Sequence, residues 1–312
     1  MEDYPITLLE FEKRFATEDL CRQYLHELRW PNGFQCPRCG NQRGWITKRD
    51  LYHCEQCGLQ TSIFAGTIFQ DTKKPLHVWF RAMWYISTQK YGTNALGLQR
   101  VLGLGSYRTS WTWLHKLRCA MVRPGRDRLA GTIEVDETYI GGEQPGKRGR
   151  GAGGKELVVV VAQKDGRKIG RIRLQRVPDA SADSLENSVK EAIEPGSIVR
   201  TDGWSGYQGL SILGYSHQVI RDEADVGDNM LPMAHQVASL LKRWLMGTYQ
   251  GAVQPSHLDY YLDEYTFRFN RRTCRSRGKL FYRLVQQSIA VNPVPAKHIK
   301  GRNHNAYPQG LV

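Results

Sequence analysis

GTIEVDETYI (131–140) and ELVVVVAQ (156–163) are the stretches that decide the fold of the C-terminal half of this 312-residue chain. The first stretch alternates between apolar and polar residues and is rich in β-branched residues. The second is the uninterrupted apolar run expected of a buried central strand. An Asp-Gly turn then predicts a hairpin into KIGRIRLQRV (168–177). SADSLENSVKEAI (181–193) predicts a helix, and GSIVRTDGW (196–204) predicts a fourth strand. This order predicts a mixed sheet flanked by helices.

Two aspartates fall where such a sheet brings strands together. Asp136 lies in the middle of the first strand, and Asp202 lies where the fourth strand stops. If strand one lies beside strand four, the carboxylates can meet, bridge two Mg²⁺ ions and activate an oxygen nucleophile for attack on a phosphodiester. Taken singly, Asp136 also fits a hydrogen-bonded edge residue and Asp202 an ordinary turn aspartate before glycine.

LPMAHQVASLLKRWL (231–245) predicts an amphipathic helix whose polar face carries His235, Ser239 and Lys242. His235 and Lys242 are two turns apart and project from the same face. A site for two metal ions usually requires a third ligand, and this helix can bring His235 against the Asp136–Asp202 pair. Lys242 can then hold a substrate phosphate as a point charge. A solvated polar face is the alternative.

Two Cys-x-x-Cys pairs, separated by 14 residues, predict a structural zinc site. Each pair places two thiolates on one side of a tight turn, and four protein ligands leave no open coordination position. Redox pairs or free thiols do not explain two matched knuckles. The predicted ligands are Cys36, Cys39, Cys54 and Cys57. The remaining cysteines, Cys21, Cys119 and Cys274, are predicted to be small buried or half-buried side chains.

Charge points to an anionic polymer as the partner. Lys and Arg number 44 against 30 Asp and Glu, a net charge of +14, which favours nucleic acid over an anionic membrane. The chain has no run of 18 apolar residues, and its N-terminal stretch is acidic and mixed rather than a signal peptide. We therefore expect no membrane partner, a cytoplasmic, nucleoid-associated location and reduced thiols.

Three helices rich in tryptophan are predicted between the cysteine pairs and the sheet. They are HVWFRAMWYIS (77–87), TNALGLQRVLGL (93–104) and SYRTSWTWLHKLRCAMV (106–122). A short Gly-Ser turn joins the last two, which suggests a helix-turn-helix that reads base edges. The alternative is structural, with Trp111 and Trp113 as core residues.

Two basic stretches are predicted to contact DNA. GKRGRGAGGK (146–155) is rich in glycine and suits a flexible clamp on the phosphate backbone, or a plain surface loop. RFNRRTCRSRGKLFYRL (268–284) interleaves arginine with aromatic residues. The predicted contacts are Lys147, Arg148, Arg150, Lys155, Arg268, Arg271, Arg272, Arg275, Arg277 and Lys279. Trp204 and Tyr207 either stack on an unpaired base or close the core.

In combination, these motifs resemble a bacterial insertion-sequence transposase with an N-terminal zinc ribbon and a DDE-type, RNase H-like catalytic domain. The resemblance runs from about residue 15 to about residue 290. It is carried by CPRCG…YHCEQCG, TSIFAGTIFQDTKKPL, IEVDETYIGG, RTDGWSGY, LLKRWLMGTYQG and HLDYYLDEYTFRFNRR. It implies binding of the terminal inverted repeats of a mobile element, metal-dependent hydrolysis at its 3′ ends and transesterification into target DNA, by a homodimer or larger assembly.

The same resemblance implies that Asp136 and Asp202 hold two Mg²⁺ or Mn²⁺ ions, with Lys242 seven residues after the third ligand. Where glutamate, or in this group asparagine, usually stands, this chain has His235. Imidazole is a softer ligand without negative charge, so Mn²⁺ or a weakly held second ion is favoured. The alternative third ligands are Glu134, Asp222, Glu223, Asp225 and Asp228.

The predicted organisation is multi-domain, with mixed α+β and α/β character. It comprises a helical lead-in (1–30), a zinc ribbon (31–68), a helical DNA-binding segment (69–127), an RNase H-like domain (128–292) and a tail (293–312). Two other functions remain open. A related metal-dependent nuclease would cut DNA without joining it, and a catalytically degenerate relative would bind DNA without metal-dependent chemistry.

Overall fold

The computed structural model describes residues 2–123, 125–141, 155–220, 230–251 and 253–300, in two compact units. The second unit spans Gly125–Thr273, and the first combines the chain before it with the segment from Cys274 onward. Several predicted site residues lie outside the described ranges. They are the loop residues Lys147, Arg148 and Arg150 and the acids Asp222, Glu223, Asp225 and Asp228.

The first unit pairs a small antiparallel sheet with a set of helices. Its strands, in the order β1-β2-β3, are β1 (Gly44–Ile46), β2 (Leu51–Cys54) and β3 (Gln60–Ser62). Its helices are α1 (Leu8–Arg14), α2 (Glu18–Arg29), α3 (Leu76–Thr88), α4 (Ala95–Leu102) and α5 (Tyr107–Cys119), with α9 (Arg277–Ala290) and α10 (Ala296–Lys300) from the C-terminal segment. Thr7 and Thr17 begin α1 and α2 by accepting backbone N–H groups of the first turn.

Aromatic packing draws α9 into the first unit. Phe281 of α9 is fully buried, and its ring lies 5.2 Å from Phe11 and 5.5 Å from Phe80, centroid to centroid. The second unit ends at Thr273, whereas the range predicted for the catalytic domain, 128–292, also includes α9. The apolar face of α9 packs against α1 and α3 of the first unit.

The predicted pair of consecutive helices is present as α4 and α5. Gly103 ends α4 in the left-handed conformation, with φ +60°, which favours glycine. Trp113 of α5 is buried and stacks on Trp79 of α3 at 3.8 Å between ring centroids. Trp113 is therefore a core residue, and the exposed Tyr107 and Arg108 begin the helix proposed to read DNA.

The second unit is a five-stranded mixed sheet with helices on both faces, as predicted. The strands are β4 (Thr132–Ile140), β5 (Glu156–Asp165), β6 (Lys168–Val177), β7 (Ile198–Thr201) and β8 (Ser216–Val219), in the order β6-β5-β4-β7-β8. The first three neighbours pair antiparallel, and β7 pairs parallel with β4 and β8. The prediction that strand one lies beside strand four is confirmed, and β8 is an additional edge strand.

Three helices complete this unit: α6 (Ala182–Ala192), α7 (Pro232–Tyr249) and α8 (Leu258–Asn270). Alternate residues of β5 explain its continuous apolar run. Val158 and Val160 pack with α7 and α8, whereas Val159 and Val161 pack with α6 on the other face. A strand covered on both faces needs apolar residues at every position. Across the described ranges, no helix combines the length and apolar character needed to span a membrane.

Candidate active site

Four thiols converge in the small sheet of the first unit. All their Sγ atoms lie within 4.8 Å of one another, and Cys36–Cys57 and Cys39–Cys54 are each 3.6 Å apart. Tetrahedral Zn²⁺ with Zn–S bonds of about 2.3 Å separates its sulfur ligands by about 3.8 Å, so the cluster fits zinc. Among the described residues, this is the one group of three or more His, Cys, Asp or Glu side chains with such spacing.

The two knuckles adopt the turns that the sequence predicts. Gly40 and Gly58 have φ values of +72° and +66°, and their N–H groups donate to the carbonyls of Cys36 and Cys54. A residue with a Cβ would be strained at either position. The predicted convergence of the four cysteines in a zinc ribbon is confirmed. The other described cysteines lie apart from it, with Cys21 buried as predicted.

In the second unit, strand register brings the two aspartates level. β4 pairs parallel with β7 through Ile133–Val199 and Glu134–Arg200. Asp136 and Asp202 each lie two residues beyond the last of these pairs, Asp136 within β4 and Asp202 directly after β7. The Asp202 charge contributes to the raised pKa of Asp136, as expected of a nearby carboxylate.

Helix α7 supplies the histidine. Nε2 of His235 lies 3.2 Å from Oδ2 of Asp136, and the two side chains are 47% and 16% exposed. Val237, Leu241 and Leu245 of α7 are buried in the core, whereas His235 and Lys242 are exposed. The apolar stripe therefore fixes the rotation of the helix and turns His235 towards Asp136 in the middle of β4.

Burial raises the pKa of Asp136 to about 6, with Glu137 and Asp202 adding to the rise and His235 opposing it. A divalent cation bound there would offset the repulsion between these half-buried carboxylates. Carboxylate oxygens suit Mg²⁺ or Mn²⁺, and imidazole nitrogen suits Mn²⁺ better. Asp136 and His235 therefore offer an oxygen and a nitrogen donor that could hold such a cation, but among the described residues they do not form, together with Asp202, a group with the ligand spacing of the four thiols.

Glu134 binds the start of helix α7, a contact that was not predicted from the sequence. Its buried side chain accepts the backbone N–H groups of Met233 at 2.7 Å and Ala234 at 3.0 Å, both through Oε2. Glu134 therefore caps the N-terminus of α7 from a neighbouring strand. Leu231 and Pro232 begin the helix without a side-chain cap of their own. The absence of a capping side chain at the start of this helix is visible in the sequence, but it does not indicate which residue supplies the cap.

Lys242 shares its surroundings with a second lysine. Partial burial and the nearby charge of Lys155 lower the pKa of Lys242, while Asp136 raises it. The ammonium group of Lys242 thus lies near that of Lys155, which repels it, and near the carboxylate of Asp136, which attracts it. An anion such as a DNA phosphate would offset that repulsion.

The two aromatic residues that follow Asp202 have different surroundings: Tyr207 lies in the core, and Trp204 lines a cavity. Tyr207 is fully buried, and its hydroxyl donates to Glu137 at 2.9 Å, so it closes the core. Trp204 is half-buried and donates its backbone N–H to Oδ1 of Asp202 at 3.0 Å. Its indole N–H donates to the carbonyl of Ala180, and the ring lines a cavity.

The predicted basic stretch 268–279 is divided between the two units. Arg268 pairs with the fully buried Glu264 at 2.7 Å, and its own side chain is only 12% exposed. Arg271 and Arg272 stack over Phe267 and Phe269. Lys279, in the first unit, pairs with Glu2, and of the exposed arginines, Arg275 precedes α9 and Arg277 is its first residue.

Comparison with known proteins relates both regions to transposases. Residues 128–270 match the ISXO2-like transposase domain, and residues 16–60 match the transposase zinc-ribbon domain. The chain is 26% identical over 289 residues to a protein of Halobacterium salinarum described as an uncharacterized protein in transposable element ISH50, a match that covers 86% of this chain and 95% of that protein. The two matched domains contain the carboxylate site and all four cysteines, which confirms the predicted resemblance.

Proposed function

We propose that this chain, an insertion-sequence transposase by its zinc-ribbon and transposase domains, is the enzyme that moves its own element. It binds the terminal inverted repeats, hydrolyses one phosphodiester at each 3′ end and joins the resulting 3′-OH to target DNA. The observation that carries the proposal is the 3.2 Å contact between His235 and Asp136, level with Asp202.

The proposed metal ligands are Asp136, Asp202 and His235. When bound there, two Mg²⁺ or Mn²⁺ ions supply Lewis-acid polarisation and charge neutralisation for in-line phosphoryl transfer. The chain's own residues orient the reactants. Glu134 holds the start of α7 against β4, and Lys242 binds a phosphate oxygen of the DNA strand beside the carboxylates.

The surrounding positive charge is proposed to bind DNA backbone. The net charge of +14 favours such contacts, and Lys155 lies next to the site. The proposed contacts are Lys147, Arg148, Arg150, Lys155, Arg271, Arg272, Arg275, Arg277 and Lys279. Helix α5 is proposed to read base edges through its exposed first turn. Because two element ends must be processed together, a dimer or larger assembly on DNA is part of the proposal.

Purified protein incubated with duplexes carrying the element ends, a target plasmid and Mg²⁺ or Mn²⁺ tests the proposal. We expect a 3′ nick at the element boundary, followed by a covalent joined product, with both steps lost in Asp136→Ala while DNA binding survives. A nick without joining would support the nuclease alternative. Binding without any metal-dependent product would support the degenerate DNA-binding protein.

A further inference from the structure

Strand β1 of the zinc ribbon is an edge strand that carries two exposed apolar side chains. The small sheet has the order β1-β2-β3, so β1 pairs with β2 on one side and forms the edge of the sheet on the other. Trp45 is 54% exposed and stacks on His53 at 4.4 Å between ring centroids, and Ile46 is 59% exposed. Because side chains alternate along a strand, the two lie on opposite faces of the sheet. An edge strand with large apolar groups exposed on both faces is typical of an interaction surface.

The backbone of β1 also directs hydrogen-bonding groups away from the sheet. Arg43 accepts a backbone hydrogen bond from the residue after β2 at 3.2 Å, and Thr47 donates one to the first residue of β2 at 2.8 Å. Such bonds occur at every second residue of an antiparallel ladder, so Trp45 also directs its backbone groups towards β2. Gly44 and Ile46 therefore direct their N–H and C=O groups outward. An extended peptide strand satisfies these alternating donors and acceptors, whereas DNA phosphates offer no donor for the carbonyls.

Strand β6, an edge of the larger sheet, differs from β1 because side chains cover its backbone. The side chain of Asn270 bonds to both the N–H and the carbonyl of Ile172, at 2.7 and 3.1 Å. Arg272 donates to the carbonyl of Gly170 at 3.2 Å. Side chains of this kind protect an edge strand against pairing with another chain. In the part of the chain that the structure describes, no side chain bonds to the outward groups of Gly44 and Ile46, so β1 can accept another strand.

We propose that β1 pairs antiparallel with β1 of a second copy of this chain, across a two-fold axis at Trp45. In this register Gly44 lies opposite the partner's Ile46, and every outward N–H and C=O group of the strand gains a partner. The two Trp45 residues form a non-hydrogen-bonded pair, in which the side chains are closest, so their indole rings pack together. Gly44 leaves room for the larger isoleucine, and Arg43 lies opposite the partner's Thr47 rather than opposite a like charge.

The pairing joins the two small sheets into one continuous sheet. Only the short strand β1 takes part, so the interface is small and the pairing is weak between free copies in solution. It becomes stronger where one DNA molecule holds two copies close together, because the effective concentration is then high. The inference concerns the ribbon alone and does not rest on the proposed chemistry, although it gives the proposed assembly on DNA one of its contacts.

Disulfide cross-linking of the purified full-length protein tests the pairing and its register. Trp45→Cys places two thiols on Cα atoms about 4.5 Å apart, within the range that a disulfide spans. In the same register, Ile46→Cys and Thr47→Cys place theirs about 8 Å and about 14 Å apart, beyond that range. Under a mild oxidant, we expect Trp45→Cys to form a covalent dimer at least about tenfold faster than either. Wild type measures any cross-linking through the seven native cysteines.

A proline substitution separates strand pairing from chance collision. Ile46→Pro removes one outward N–H and no bond to β2, because the N–H of Ile46 does not face β2. Added to Trp45→Cys, Ile46→Pro should lower the cross-linking rate to that of Thr47→Cys, whereas Ile46→Val should leave it unchanged. Zinc content reports whether the ribbon remains folded in each variant.

Two results would overturn the inference. In the first, Trp45→Cys cross-links no faster than Ile46→Cys and Thr47→Cys, or Ile46→Pro with zinc bound leaves the rate unchanged. In the second, DNA protects the Trp45→Cys thiol from a maleimide and no cross-link forms, which would show that this surface contacts nucleic acid instead. Because neither measurement requires cleavage or joining, failure of the proposed function would not be mistaken for failure of the pairing.

Discussion

His235 Nε2 and Asp136 Oδ2 lie 3.2 Å apart, although they come from different elements, the start of α7 and the middle of β4. The contact exists because Glu134, two residues before Asp136, accepts the first N–H groups of the same helix. One strand therefore supplies both a proposed metal ligand and the anchor for the helix that carries another.

The first prediction concerns Glu134 as an anchor. Glu134→Gln keeps an oxygen acceptor for the helix N-terminus and should retain joining activity within about threefold of wild type. Glu134→Ala leaves the N–H groups of Met233 and Ala234 unsatisfied, which costs about 1 kcal/mol and lets His235 and Lys242 move. We expect single-turnover joining to fall at least tenfold. If Glu134 were instead a metal ligand, the glutamine variant would be as inactive as Asp136→Asn.

The second prediction concerns how far the ionised Asp136 side chain destabilises the folded protein. The pKa of Asp136 in the folded protein is about 6, above the ordinary aspartate value of 3.8. Ionisation of this side chain therefore destabilises the folded state, and the loss of stability grows as the pH rises from about 4 through about 6. In buffer without Mg²⁺ or Mn²⁺, Asp136→Asn should therefore be more stable than wild type. By linkage, the advantage should be about 1 kcal/mol larger at pH 7.5 than at pH 5. Urea denaturation at both pH values measures it, and a pH-independent difference would contradict the account.

The third prediction concerns Lys242 as a phosphate contact. Lys242→Met removes one positive charge from an exposed position and should leave the melting temperature unchanged. The slope of log affinity against log salt for an element end should become shallower by about 0.9. Lys168→Met, on the β5–β6 turn about 16 Å along the sheet from Asp136, is the matched control for loss of a lysine. Equal effects of the two variants on joining would argue against a specific role for Lys242.

The fourth prediction concerns the zinc ribbon. Purified protein should contain one zinc ion per chain, and Cys54→Ser should lose it, because the remaining three thiols leave the tetrahedral site incomplete. Cys274→Ser removes a thiol outside the cluster and should keep the ion. Elemental analysis gives the stoichiometry, and thermal melting reports the accompanying loss of structure in the ribbon. Full zinc content in Cys54→Ser would rule out the four-cysteine site.

Much of this architecture could be predicted because its signals are local. The two Cys-x-x-Cys pairs, the apolar run of β5 and the Asp-Gly turn each depend on a few neighbouring residues. The pairing of the strands that carry Asp136 and Asp202 was predicted from strand order alone, and the observed pairing of β4 with β7 confirms it. The polar face of α7 followed from helical periodicity.

Features that depend on distant partners were missed. The short polar strand β8 has no periodic signal, and α9 joins the first unit through non-local aromatic contacts. Arg268 resembled part of a basic surface, although Glu264, one helical turn earlier, was the signal for its buried ion pair. Glu134 was considered only as a metal ligand, because a helix cap supplied from another strand leaves no spacing pattern in the sequence.

Transposition of a marked element in cells, with its ends supplied, tests the central claim that His235 completes the site. Wild type is compared with Asp136→Ala and His235→Ala, with DNA binding measured for each protein. We expect both substitutions to abolish joining while DNA binding survives. If Asp136→Ala is inactive but His235→Ala transposes at nearly the wild-type frequency, the third ligand lies elsewhere and the role assigned to His235 is wrong.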